Sequence, residues 1–230
     1  MKTPEWEIGK EEFLARLDWM ESDFTRMLYL PDFSDTQTII PLRFMSNVNA
    51  LVPIRNDMLR HIISRVKTMN GHSPFENADI KCTKAVPENL KIGQKFAYRE
   101  NLIGIIDIKK YFKQLAMPAG ISELGAWFLY GTDENGRPAL SCYMPPMIER
   151  HGKNTVIMDG IHRNYIAMSF GISMSVIHIE NISSPFPCGM MDWSELQSIP
   201  LSEKPSDINE RYFTLTKELF RDLKFLGIDG

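Results

Sequence analysis

Cysteine is scarce in this chain and poorly placed for structural work. Cys82, Cys142 and Cys188 are odd in number and widely separated, with no CxxC among them, so neither a disulfide framework nor a cysteine-based zinc site is indicated. Excess positive charge is also missing. Lys and Arg number 26 against 29 Asp and Glu, a formal net charge of −3. That balance argues against whole-surface binding of nucleic acid, although a local basic strip remains compatible with it. No apolar run approaches the ~20 residues that cross a bilayer, and the first residues are charged where a signal peptide would be apolar. A cytoplasmic protein with no membrane partner is the expectation. The chain has no Gly-x-Ser-x-Gly elbow, no Walker-type loop and no Rossmann fingerprint, so acyl transfer and dinucleotide redox chemistry lose support. No HExxH or similar cluster groups the histidines: His61 lies in an apolar helical pattern, His72 in a polar loop, and His178 on a strand. His151, with Arg150 and Lys153, reads as a solvated turn.

What is present is enough apolar material for a core: 230 residues, 43% hydrophobic. That suits one elaborated domain spanning residues 1–230, without repeats or an evident linker. Phe13, Leu14, Leu17, Met20, Phe24, Met27 and Leu28 recur at helical spacing, predicting a helix from Lys10 to about Leu30 that Pro31 stops. Ile39, Ile40, Leu42 and Phe44 suit the start of a strand. Ile54, Met58, Leu59, Ile62, Ile63 and Val66 suit a second helix, so residues 1–70 are expected to be mainly helical. Residues 71–93, with Ser73-Pro74 and Pro87-Glu88, read as a loop. Leu102, Ile103, Ile105, Ile106 and Ile108 predict a strand, with a short helix over Lys109 to Ala116. Ala126 to Tyr130 and Ala139 to Tyr143 flank Thr132-Asp-Glu-Asn-Gly136 as a β-hairpin. Toward the end, Asp192 to Leu196 suits one helical turn. Asp207 and Glu210 form a capping-box-like pair ahead of Tyr212, Leu215, Leu219, Phe220 and Leu223, predicting a C-terminal helix over about 205–228.

The chemistry concentrates between residues 155 and 179. Val156, Ile157 and Met158 form a strand-like run ending at Asp159-Gly160. Ile161, Tyr165, Met168 and Ile172 then follow helical spacing, and Gly171 sits where that helix would end before a strand from Ile172 to Ile179. Asp159, His162 and Arg163 therefore fall at a strand-to-helix turn. The first amides of a helix have no intrahelical partner and the dipole favours negative charge there, so an anion is the natural guest. Gly160 permits close backbone approach, Arg163 offers a planar fork of donors, and His162 can donate, accept or relay a proton. Asp159 suits three roles: orienting the histidine, holding a magnesium ion, or taking a proton from a hydroxyl. Helix capping is the plainer alternative.

The run Asp159-Gly160-Ile161-His162-Arg163, with Ala167 and Gly171 behind it, resembles the Asp-Gly-x-His-Arg signature of the ParB/sulfiredoxin superfamily over roughly Pro138 to Glu180. The superfamily holds CTP-hydrolysing partition proteins, sulfiredoxin, and free serine kinases, whose pattern is the nearest. The resemblance implies an α+β fold, a mixed sheet with helices, here with its core at 95–182 and elaborated by N- and C-terminal helices. Sulfiredoxin's catalytic cysteine would stand at Ile161, so sulfinic-acid reduction is disfavoured. The loop carries His162 where partition proteins have Gly-Glu-Arg-Arg-like residues, and only about fifty residues follow Glu180, so DNA partition is disfavoured too.

By this resemblance the chain is expected to be a phosphotransferase or nucleotide hydrolase, using a nucleoside di- or triphosphate, Mg²⁺ and a small-molecule acceptor. Gly160, Ile161, His162 and Arg163 would bind the phosphates; Asp159 would orient His162 or hold the metal. The serine-kinase branch also needs an upstream carboxylate, for which Glu100 and Asp107 are the candidates. The alternative is a non-catalytic module that senses a nucleotide or contacts DNA.

Overall fold

The computed structural model describes residues 7–20, 22–23, 35–103, 105, 120–226 and 228. In chain order the strands are β1 (Ile8–Gly9), β2 (Thr38–Ile39), β3 (Met45–Pro53), β4 (Lys67–Thr68), β5 (Asp79–Ala85), β6 (Phe96–Tyr98), β7 (Trp127–Asp133), β8 (Pro138–Tyr143), β9 (Met147–His151), β10 (Asn154–Asp159), β11 (Met174–Glu180), β12 (Gln197–Ile199) and β13 (Arg221–Asp222). The helices are α1 (Lys10–Leu17), α2 (Asn56–Ser64), α3 (Ile161–Ser169) and α4 (Ile208–Arg211). The class is α+β, as expected.

Two sheets organise the chain. One has the order β1-β2-β8-β7-β3 and the other β10-β9-β11-β5. The β7–β8 hairpin forms where the Asn135-Gly136 turn was expected. Gly136 supplies the positive φ of 75°, and the Asp133 carboxylate accepts the amides of Asn135 and Arg137. Burial pulls the Asp133 pKa upward, but those amides and the Arg137 guanidinium outweigh it and hold the carboxyl below its ordinary value.

The second sheet is covered on both faces, because its side chains alternate. Met147, Ile177 and Ile179 join Phe13, Leu17, Ile62, Phe128 and Phe225 in the main core. Ile148, Ile157, Met174 and Val176 pack instead with Ile161 and Ala167 of α3. Strand β8 runs into β9 through Met144-Pro145-Pro146, so the two sheets meet directly beside the motif.

Several expected elements differ. Helix α1 ends at Leu17, well short of Leu30, because Asp18 turns left-handed at φ 55° and the amides of Asp18 and Trp19 close on Ala15 and Leu14. Trp19 then stacks on His61 with ring centroids 5.6 Å apart, fixing a new direction. Residues 24–31 lie outside the described residues. Among the described residues of 1–70, helices and strands share the chain. Strand β3 and helix α2 are equally long there, and β3 follows a 3₁₀ turn at Leu42–Phe44 where a strand was expected. The 71–93 loop contains β5, paired with β11 from Asp79↔Glu180 to Ala85↔Met174. Of β5 only Ile80 is buried; as a polar edge strand it lacks the apolar alternation that marks a half-buried one.

Residues 99–103 and 105 are helical where a strand was expected. Their β-branched composition misled; Ile105 is buried and Ile103 exposed, as helical spacing allows. Asp107 and the Lys109 to Ala116 helix lie outside the described residues. The C-terminal helix shrinks to α4. The Asp207 cap forms, accepting the Asn209 amide. At Tyr212 the backbone becomes extended, because the Lys95 amide donates to Arg211 and the Phe213 amide donates to Gly93. Those tertiary bonds replace the helical ones, and the chain continues as 3₁₀ turns and β13.

Candidate functional site: a basic cleft at the β10–α3 turn

The motif adopts the expected strand, turn and helix. β10 ends at Asp159 and α3 begins at Ile161, with Gly160 between them. The β9–β10 register slips between Ile157 and Asp159, a bulge that sets Asp159 apart from the regular alternation. Gly160 has φ 87°, and a Cβ there would lie 2.8 Å from the Pro146 Cβ. Backbone conformation and space both demand glycine.

Arg163 turns inward. Its Nη2 donates to Asp159 Oδ2 at 2.8 Å and its Nη1 to the Met144 carbonyl, while the guanidinium carbon lies 5.6 Å from the Tyr143 ring centre. The paired side chains are 13% and 11% exposed. Arg163 thus staples the helix start to the link between the two sheets, a role its position in the sequence does not reveal. Burial pushes the Tyr143 phenol up, and the neighbouring guanidinium opposes that rise. His162 Nε2 accepts the backbone N–H of Tyr98 at 2.9 Å. A nitrogen that accepts keeps its lone pair, so in the neutral ring Nδ1 carries the proton. Asn164, fully buried, donates from Nδ2 to the Gly160 carbonyl and locks the turn from behind.

This turn opens onto a cleft of about 780 Å³, within the range of small-molecule sites. Asp159, Gly160, Ile161, His162 and Arg163 all line it, and so does Glu100. The structure therefore brings the expected residues to one place. Glu100 Oε2 accepts the Leu201 amide at 2.7 Å, which fixes its carboxylate on the cleft wall. The lining is strongly basic: Arg43, Lys204, Arg211, Lys217, Arg221 and Lys224 join Arg163, against the carboxylates of Glu100, Asp159 and Asp222. Two of these cations are compensated within the fold, Arg163 by Asp159 and Arg221 by the buried Glu149, yet Lys and Arg still outnumber Asp and Glu along the lining in a chain of net charge −3.

No family model, curated protein or solved structure matches the chain. The functional reading therefore rests on the site itself.

Among the described residues, no three His, Cys, Asp or Glu side chains are grouped as metal ligands. Cys188 also lines the cleft, but burial pushes its thiol up to about 12. A thiol held protonated is a poor nucleophile.

Sequence reasoning missed the far wall. Lys204, Arg211, Tyr212 and Arg221 come from the C-terminal stretch, and nothing local in the sequence signals that its backbone bridges residues 93–95. His151 was misread as solvated. Its Nε2 lies 2.7 Å from Glu149 Oε2 on β9, and Arg221 grips the same carboxylate through Nε at 3.0 Å and Nη2 at 2.8 Å. Glu149 is 0% exposed and Arg221 3%. This pair ties the C-terminal wall to the second sheet. Among the described residues, no helix is long and apolar enough to cross a membrane.

Proposed function

We propose that the cleft binds a nucleoside di- or triphosphate and that the protein is a phosphotransferase or nucleotide hydrolase. The observation that carries this reading is the convergence of a glycine-bounded helix start, His162 and an excess of Lys and Arg side chains within a single cleft that also holds Glu100. The amides of a first helical turn suit phosphate oxygens, and the cations offset their charge. Organic walls from Met158, Leu215 and Phe220 leave room for the rest of the ligand.

In this reading Glu100 takes the proton of a small hydroxylated acceptor, and Nδ1 of His162 donates a hydrogen bond to the transferred group. Asp159, already paired with Arg163, orients the turn. A magnesium ion beside it would take most of its oxygen ligands from the nucleotide and water, as Mg²⁺ commonly does.

A second reading, a nucleotide sensor without turnover, has its own support. His162 Nε2 and Asp159 Oδ2 are both engaged within the fold, so the motif alone offers no acid–base pair poised to act. Incubation with nucleoside triphosphates and magnesium, with and without free serine as acceptor, followed by mass spectrometry of the products, separates the two. Nucleotide consumption supports the enzyme. Binding without consumption supports the sensor.

A further inference from the structure

The cations best placed for a ligand are not those of the motif. Arg163 spends Nη1 and Nη2 on Met144 and Asp159. Lys204 and Arg211, from the C-terminal stretch, line the same cleft as the turn. The Lys204 ammonium lies 5.4 Å from the Tyr98 ring centre. That ring is 5.8 Å from His162, whose Nε2 holds the Tyr98 amide. Lys204 thus contacts the Tyr98 ring, which is tilted at 34° against His162.

Arg211 is pre-positioned. Its Nε donates to the Pro205 carbonyl at 2.7 Å and its Nη2 to the Ser206 carbonyl at 3.0 Å, folding residues 205–211 into a closed loop. Its Nη1 has no hydrogen-bond partner among the described residues. Burial raises the phenols of Tyr98 and Tyr212, and Arg211 is close enough to oppose both shifts. Neutral phenols beside a guanidinium add donors without adding negative charge.

We infer that Lys204 and Arg211 grip the phosphate end of the ligand from the C-terminal wall, facing the amides of the α3 start. This inference rests on the proposed anion-binding cleft and names the groups that do the gripping. A ligand bridging two walls needs several acceptor oxygens spread over a few ångströms, which a diphosphate group has and a lone carboxylate lacks. Arg211 supplies directed donors and Lys204 a point charge, a combination suited to phosphate.

Calorimetric titration with inorganic pyrophosphate and with ATP tests it, using wild type, Lys204→Gln, Arg211→Gln, the double variant and Arg211→Lys. Circular dichroism melting accompanies each variant to confirm folding. The expected result is at least a tenfold loss of affinity for both ligands in each Gln variant, the scale of one charge-assisted contact, with recovery in Arg211→Lys and a shallower salt dependence in the double variant. Wild-type binding that the double variant retains within about twofold overturns the inference and leaves the cleft reading intact. Arg211→Lys as weak as Arg211→Gln, with Lys204→Gln unaffected, also overturns it, because the loop's carbonyl bonds would then be what matters. Wild type binding neither ligand at millimolar concentration removes the cleft reading and the inference together.

Discussion

Arg221→Ala is the most informative stability perturbation, because it cuts the C-terminal wall of the cleft from the second sheet. The guanidinium makes two bonds to Glu149, at 3.0 and 2.8 Å, and a third to the Leu219 carbonyl. Both partners are essentially without solvent, at 3% and 0% exposed. Removing one member of a buried pair leaves an uncompensated charge and typically costs about 3–5 kcal/mol. His151 still contacts Glu149 at 2.7 Å, so the lower end, about 3 kcal/mol, is expected. Removing both charges together is different, since well-packed apolar residues often replace a buried ion pair with little loss. Glu149→Leu with Arg221→Met should therefore recover most of what the single variant loses. Urea denaturation with a slope unchanged from wild type is the assay. A single variant within about 1 kcal/mol of wild type would refute the anchoring role. A double variant no better than Arg221→Ala would show that packing, rather than the stranded carboxylate, sets the cost.

The other expectations concern the turn and its cleft. Gly160→Ala should cost about 1–3 kcal/mol, since alanine is strained at φ 87° and its Cβ would meet Pro146; a melting temperature equal to wild type would contradict the turn geometry. Arg163→Ala should lower stability by about 2–3 kcal/mol through its lost bonds to Asp159 and Met144, and chemical denaturation that finds no loss would return Arg163 to the role of a free anion grip. If the protein turns over nucleotide, His162→Ala and Asp159→Asn should each slow it at least ~10²-fold; unchanged turnover in both would move the chemistry elsewhere. Tyr212, which burial pushes up from 10 to about 12, is more easily ionised in the unfolded chain. Its contribution to stability is therefore complete below pH 10 and lost as pH rises toward 12. Tyr212→Phe should flatten that alkaline decline in a pH series of urea melts, and an identical decline would exclude Tyr212 as its source.

The motif was legible because strand, turn and helix there are specified locally. Ile157 and Met158 pack into different cores, glycine suits the positive φ of residue 160, and Ile161 and Ala167 give α3 its buried face. The β7–β8 hairpin was legible for the same reason, an Asn135-Gly136 turn between apolar strands. What failed was set by distant partners. Strand β5 is polar and exists through its backbone pairing with β11, and the C-terminal stretch abandons helix because residues 93–95 supply competing hydrogen bonds. Local periodicity carries no trace of either. The candidate site divides along this line: its motif wall could be read from residues 159–163, whereas Lys204 and Arg211 became visible only once the chain had folded back.

The central claim is that this cleft binds a nucleotide through its phosphates. Thermal-shift measurement across nucleoside mono-, di- and triphosphates, each with and without magnesium, tests it most directly, because a ligand bound only by the folded state raises the melting temperature by an amount that grows with the logarithm of its concentration over Kd. The account predicts a rise that grows from mono- to triphosphate and falls with added salt. Melting temperatures that stay at the ligand-free value for every nucleotide up to millimolar concentration would contradict it.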